Sequence, residues 1–325
     1  MHTSEIKKIV DIPILWENLV LLEERLVEVA SSKDPYLTEI AQHLISAGGK
    51  RFRPLVTLLA GELGNKNYKK IIDAGVAVEL IHLGSLYHDD VIDDSPKRRG
   101  VRSVNNQWNS TLAILAGDFL MAKASELAAD NLGLDSVKLL ASTYAELVEG
   151  QTKEIQLSFN FEHGINDYID IVKGKTASLI KTSAKLGAIA SECENDVVEA
   201  ISEWALNAGI VFQISDDILD ITSNPNKLGK PVGNDILEGT YTLPVHIAMQ
   251  KNQSLIVEKL QEIKEDNTKI ETLLEILRSD EILSETREIA AQHSVESQKS
   301  LEPLRDSSIY EVLIKINTYL IERTY

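Results

Sequence analysis

Two stretches constrain this chain more than anything else in it. Ile71 to Asp94 and Val197 to Ile221 are apolar nearly all the way round at 3.6 residues per turn. A helix apolar on every side must be wrapped by others. Each stretch also ends on the same acidic pattern. His88-Asp-Asp-Val-Ile-Asp-Asp94 closes the first, and Ser215-Asp-Asp-Ile-Leu-Asp-Ile221 closes the second.

The surrounding sequence continues the helical theme. Leu15-Trp16-Leu19-Leu22-Leu26 is one apolar stripe, and Leu112–Ala129, Val137–Leu157 and Ile165–Ala190 are further periodic segments. Leu112–Ala129, rich in Ala and Leu, reads as a buried helix. Aromatics are only 5% of the 325 residues, and strand-like Val/Thr/Tyr alternation is scarce. Breaks are short: Gly48-Gly49, Ser95-Pro96, 160–164 and a Gly/Pro stretch over 224–233. We expect an all-α protein of the isoprenoid synthase type, a single large helical domain over 1–325 around a deep central cavity. The motif-bearing core covers about 40–250, with amphipathic, acidic outer helices over 251–325. The repeated acidic pattern suggests pseudo-twofold halves.

Charge narrows the functional classes. With 33 basic against 50 acidic residues, a net of −17, a general nucleic-acid binder is excluded and an anionic membrane surface is disfavoured. No signal peptide is visible. No apolar run reaches the roughly 20 residues of a bilayer span, so no transmembrane segment is expected. The only cysteine, Cys193, makes no internal disulfide, and a cytoplasmic protein is the expectation.

In Asp-Asp-x-x-Asp, the first and last residues lie one turn apart on a shared helix face. Asp89, Asp90 and Asp93 form one such set, and Asp216, Asp217 and Asp220 the other. Both sit just before helix breakers, so both belong in final helical turns. Helix C-termini carry partial negative charge and disfavour carboxylates there. Something positive must compensate. Aspartates with room for water suit Mg²⁺ bridging to a phosphate ligand. No His/Cys pattern of zinc spacing competes. A single acidic helix end would be an ordinary solvated surface; two with one spacing, on otherwise apolar helices, point to metal.

Basic clusters stand out in so acidic a chain. Lys50, Arg51 and Arg53 follow the flexible Gly48-Gly49, and Lys97-Arg98-Arg99-Gly100 follows the first aspartates. Arginine forks and lysine point charges both suit phosphate oxygens. Gly174-Lys175-Thr176 invites a P-loop reading but lacks the earlier glycine and the preceding strand. Gly174 inside a helical pattern instead marks a kink that frees backbone carbonyls. His82, two turns before Asp89, has no role that spacing alone defines.

In this order and combination, these residues resemble the trans-isoprenyl diphosphate synthases, also called polyprenyl synthetases. The matches run from Gly48-Gly-Lys-Arg-Phe-Arg-Pro54 through the first aspartates, Arg98-Arg99-Gly100, Gly174-Lys175-Thr176 and Phe212-Gln213 with the second aspartates, to Leu228-Gly229-Lys230-Pro231. The resemblance is strongest to bacterial medium- and long-chain enzymes such as the catalytic component of heptaprenyl diphosphate synthase. It implies two to three Mg²⁺ ions, bound with the allylic diphosphate, on Asp89, Asp93, Asp216 and Asp220. It implies isopentenyl diphosphate on Lys50, Arg53, His82 and Arg99, and the allylic diphosphate on Arg98, Lys175, Thr176, Gln213 and Lys230. Of these, Lys175, Thr176 and Gln213 would serve the reaction itself. The diphosphate leaves, an allylic carbocation forms, the isopentenyl double bond attacks it, and the released diphosphate takes the proton that the condensed cation loses. A homodimer, or a heterodimer with a small non-catalytic subunit, is the implied assembly. Many short-chain relatives carry lysine where Thr240 stands. Tyr87, two positions before Asp89, should point away from it.

Small residues at Gly84 and Ser85 suggest an open tunnel and a heptaprenyl-to-octaprenyl or longer product, the sort that becomes a quinone side chain. Gly84 could equally serve close helix packing. The alternatives are a short-chain farnesyl or geranylgeranyl synthase, a terpene cyclase, or a non-catalytic helical partner. The second aspartate set and Lys50/Arg53 speak against a cyclase, and the six intact aspartates against an inactive partner.

Overall fold

The structure, a computed structural model, describes residues 3–223 and 232–323. It is helical almost throughout. Helices run as α1 (Thr3–Ile9), α2 (Pro13–Val29), α3 (Pro35–Ser46), α4 (Phe52–Gly61) and α5 (Tyr68–Ile92). A two-stranded hairpin follows, β1 (Lys97–Arg98) with β2 (Val101–Arg102). Then come α6 (Val104–Gln107), α7 (Ser110–Asn131), α8 (Leu134–Leu157) and α9 (Ile165–Val172), with a π-helical turn at Lys173–Ala177. α10 (Ser178–Ala190) and α11 (Asn195–Thr222) follow. The last elements are α12 (Asn234–Leu237), α13 (Leu243–Glu265), α14 (Ile270–Leu277), α15 (Asp280–Ser300) and α16 (Tyr310–Glu322).

Local chemistry explains several helix starts. Asp34 accepts from the Tyr36 N–H with Pro35 at the first helical position, so α3 begins there. Asn67 accepts from Lys70 at 3.4 Å and Asn109 from Leu112 at 2.8 Å, starting α5 and α7. The hairpin turns through Arg99 and Gly100, both at positive φ (52° and 80°), the geometry of a two-residue turn matched to strand twist.

The chain divides into two compact units. The first is built from Met1–Tyr144, Leu179–Ser202 and Pro303–Val312, the second from Ala145–Ser178, Glu203–Glu302 and Leu313–Tyr325. In the first unit α5 is the axis, packed by α2, α4 and α7. Its residues Ile71, Ala74, Val76, Ala77, Val78, Leu80 and Leu83 are buried, as expected of a helix apolar all round. In the second unit, Ile210, Ile214, Ile218 and Ile221 of α11 form a core with Leu243 and Ile247 of α13 and Leu273, Leu274 and Leu277 of α14. Acidic residues such as Glu271 and Glu275 lie on the outside of α14, the amphipathic pattern expected there.

Two expectations are corrected. α7 is not buried all round. Ala113, Ala116, Gly117, Leu120 and Ala124 face inward, while Ile114 and Leu115 remain 44% and 54% exposed. The inward stripe is small because α5 and α7 approach closely: a Cβ on Gly84 would lie 3.0 Å from the Gly117 carbonyl oxygen. Likewise, α11 is long and apolar enough, by length and composition, to cross a membrane. Most of that apolar window is buried inside the protein, and its last turns carry three aspartates.

Candidate active site

The first unit assembles its charges around the C-terminal end of α5. Asp89 and Asp90 lie in the last turn, and Asp93 caps it, its N–H donating to the Asp89 carbonyl at 2.8 Å. Asp93 is exposed and Asp89 half-buried, whereas Asp90 is fully buried. Arg98 reaches back from the hairpin and donates to Asp90 Oδ1 from Nε (2.7 Å) and Nη2 (2.6 Å). Burial pushes the Asp90 carboxyl upward, against the pull of Arg98. The Asp90 carbonyl accepts from Ser95 and Asn105, which holds the chain at its sharp exit from the helix.

The basic residues before α4 converge on the same unit. Arg51, at positive φ, is buried and saturated: it donates to Glu23, to Glu79 and to the Ile45 carbonyl. Glu79 is 1% exposed in the middle of α5, and Arg99 approaches it at 3.6 Å. Arg99 also donates to the Leu44 and Gly48 carbonyls. Gly49 makes room for that fork, since a Cβ there would sit 2.8 Å from Arg99 Nη1. Arg53 Nη1 meets His82 Nε2 at 3.4 Å. Arginine can only donate, so this nitrogen of His82 accepts. Burial and then the charges of Arg53, Arg99, Arg51 and Arg98 hold the His82 imidazolium well below its usual range, so the ring is neutral. The Arg53 Nε is buried and lacks an acceptor. Lys50 is exposed. Lys50, Arg53, His82, Arg98 and Arg99 are thus on one unit with Asp89 and Asp93.

Tyr87 points away from the aspartates, as expected. It is fully buried, and its hydroxyl donates toward the Ile40 and Ala41 carbonyls of α3. Gly84 answers the packing alternative: its missing side chain is matched by Met121 and the Gly117 carbonyl of α7. Ser85 is buried and bonds the His82 carbonyl.

The second unit carries the other set in the last turns of α11. Asp216 is the more open residue, with its side chain 40% exposed. Asp217 and Asp220 are 2% and 3% exposed. Asp217 accepts from the Tyr168 hydroxyl (2.5 Å) and the Gln213 amide (2.8 Å). Burial and the nearby Asp235 push its carboxyl up to about 8. Thr176 in turn donates to Gln213 Oε1 at 2.9 Å, and Lys175 pairs with Glu154. The kink expected at Gly174 is the π-helical turn, whose glycine packs backbone to backbone on Gly150 of α8. Thr176, Gln213 and Asp217 therefore form one chain of contacts, with Lys175 beside it. Lys230 lies outside the described residues.

The positive compensation expected at these helix ends is present. Arg98 serves Asp90, Arg323 bonds Asp216 at 2.5 Å, and Arg278 donates to the last-turn Ile221 carbonyl at 2.7 Å. Sequence reasoning missed Glu79, Glu154, Tyr168, Arg278 and Arg323. Glu79 had a visible signal, a charge inside an apolar run. The others pair across long sequence separations and had none.

Among the described residues, no three His, Cys, Asp or Glu side chains are gathered as a metal cage. Mg²⁺ asks for less: one or two carboxylates, waters and substrate phosphate. Asp89 with Asp93, and Asp216 on the other unit, are accessible oxygen donors of that kind, and arginines already sit on the aspartates. The donor set fits magnesium.

The sequence model of a family described as Polyprenyl synthetase matches residues 34–277. The nonaprenyl diphosphate synthase of Mycobacterium tuberculosis is 36% identical over 294 residues, covering 89% of this chain and 88% of its own. Component 2 of the heptaprenyl diphosphate synthase of Bacillus subtilis is 33% identical over 311 residues, covering 95% and 89%. A geranylgeranyl diphosphate synthase of Methanosarcina mazei is 35% identical over 296 residues, covering 89% and 90%. Among solved structures, the heptaprenyl diphosphate synthase of Staphylococcus aureus superposes with a TM-score of 0.88 at 32% identity, over 96% of this chain and 99% of that one.

Proposed function

Because the chain belongs to the polyprenyl synthetase family, we propose that it condenses isopentenyl diphosphate head-to-tail onto an allylic diphosphate to make a medium- or long-chain all-trans polyprenyl diphosphate. The observation that carries this reading is the paired one. Two long apolar helices each end in Asp-Asp-x-x-Asp, each with an arginine on one aspartate.

Asp89, Asp93, Asp216 and Asp220 are the residues that would hold two to three magnesium ions, Asp220 being the most enclosed. Bound magnesium would neutralise the charge that develops on the departing diphosphate. Arg98 and Lys175 would add donors to that leaving group. Lys50, Arg53, neutral His82 and Arg99 would hold the isopentenyl diphosphate. The buried Arg53 Nε–H lacks an acceptor that a phosphate oxygen would supply. Thr176 gives its hydroxyl proton to Gln213, so its oxygen has only lone pairs to offer an allylic cation. Lys230 belongs to the same set by resemblance.

Product length has two readings. The heptaprenyl-to-octaprenyl or longer range follows from the absence of a large side chain at Ser85. A shorter, geranylgeranyl-like product is favoured by Met121, whose side chain fills the space over Gly84. Met121→Ala lengthens the product if that side chain is the stop.

The exposed apolar side of α7, with Ile114 and Leu115, suits a second copy of the chain or a small partner subunit. A cytoplasmic location and a role in quinone side-chain supply complete the proposal.

The test is to incubate the purified chain with farnesyl diphosphate, labelled isopentenyl diphosphate and Mg²⁺, then chromatograph the dephosphorylated products. A polyprenol ladder that disappears with Asp89→Ala or Asp216→Ala is expected. No product with any allylic primer, even after adding a small partner subunit, would overturn the reading.

A further inference from the structure

Arg323 follows the last residue of α16, and its side chain is only 10% exposed. Its Nη2 lies 2.5 Å from Asp216 Oδ1. Its guanidinium carbon lies 5.3 Å from the centre of the Phe212 ring, one helical turn before Asp216 on α11. Its Nη1 is buried and has no acceptor. This is an incomplete ion pair. One nitrogen is well satisfied, another is dry and unmatched, and a dry donor without a partner costs free energy.

We infer that Arg323 is a place-holding cation for Asp216, occupying the carboxylate until a divalent cation takes it, so that the C-terminal end of α16 is coupled to metal binding. The inference rests on the proposed magnesium role of the aspartates. Asp216 sits in the final turns of α11, where the helix dipole and its acidic neighbours make an uncompensated carboxylate unfavourable. A guanidinium relieves this without any metal. A second cation on the same carboxylate is then opposed by a fixed positive charge a few ångströms away, an effect on the order of tenfold in affinity. The arginine can leave, because it stands past the helix end and the unmatched Nη1 gives this position no full set of bonds to lose. The guanidinium already lies over the face of Phe212, a contact it can keep as it withdraws from Asp216.

The experiment is a titration of the full chain with Mn²⁺, reading free Mn²⁺ by electron paramagnetic resonance, with no diphosphate present. Arg323→Gln should bind Mn²⁺ on the order of tenfold tighter than the unaltered chain. Arg323→Lys, which keeps the charge, should stay near the unaltered affinity. Adding Asp216→Asn to Arg323→Gln should erase the gain. Equal or weaker binding by Arg323→Gln, binding too weak to detect in both forms, or a gain that survives Asp216→Asn would overturn the inference. The enzyme reading is judged separately by the product ladder. A chain that makes the ladder yet shows no tightening loses only the place-holding arginine.

Discussion

At the level of single residues, the two aspartate sets agree in their second member and differ in their third, Asp93 being exposed and Asp220 buried. The second aspartate of each, Asp90 and Asp217, is buried and tied to its own unit, while Asp93 and Asp216 stay open. Tyr168→Phe tests the buried class. It removes a hydroxyl that donates to Asp217 and should cost about 1–3 kcal/mol, read from the denaturant midpoint. His246 gives a pH prediction clear of the aspartates. It is 3% exposed, edge-on to His163 at 4.7 Å, and burial and then the charge of His163 bring it down to about 4. The unfolded chain therefore takes up this proton first as pH falls. Stability linked to His246 is fully present above about 6.5 and is lost as pH falls toward about 4, by up to about 3 kcal/mol. Comparing unfolding midpoints of the native chain and His246→Phe across that window should show the difference shrinking as pH falls. The open aspartates were legible in the sequence because their spacing repeats. The residues that hold the closed ones were half legible: Arg98 stood out in the basic cluster after the first aspartates, whereas Tyr168 looks like any other tyrosine until the chain has folded.

Among the helices, legibility followed burial pattern. α5 and α11 announced themselves by being apolar on all sides, and their acidic ends fell where Pro96 and Pro225 imply a break. The exposure of Ile114 and Leu115 on α7 did not show, because an Ala/Leu-rich helix reads the same whether one side or all sides are covered. The hairpin over Lys97–Arg102 is too short for a strand signal. Its cue is the Arg99-Gly100 pair at the turn. The Gly174 kink was readable from one glycine, but not that Gly150 meets it. A Cβ on Gly150 would come within 2.7 Å of the Lys175 nitrogen, a backbone atom that cannot rotate away. Gly150→Ala should therefore cost about 1–3 kcal/mol in unfolding and raise the KM for the allylic diphosphate by displacing Lys175.

For the whole chain, the exposed side of α7 yields a prediction about assembly. If the chain assembles through this side as proposed, Leu115→Glu should shift the sedimentation coefficient from that of a dimer to that of a monomer, and a native chain that already sediments as a monomer would overturn that assembly. Whole-molecule features were the least legible in the sequence. Nothing in it marks that each compact unit is gathered from three separated stretches, with Pro303–Val312 completing the first and Leu313–Tyr325 the second. That arrangement has a consequence for how the protein is made. A ribosome releases the chain from its N-terminus, yet neither unit has all its parts until the last few dozen residues emerge. α5 has its partners α2, α4 and α7 once Asn131 is made, and α11 finds α13 and α14 soon after it, so what waits for the end is the closing segment of each unit. A message truncated before Pro303 should therefore yield two unfinished units rather than one finished one.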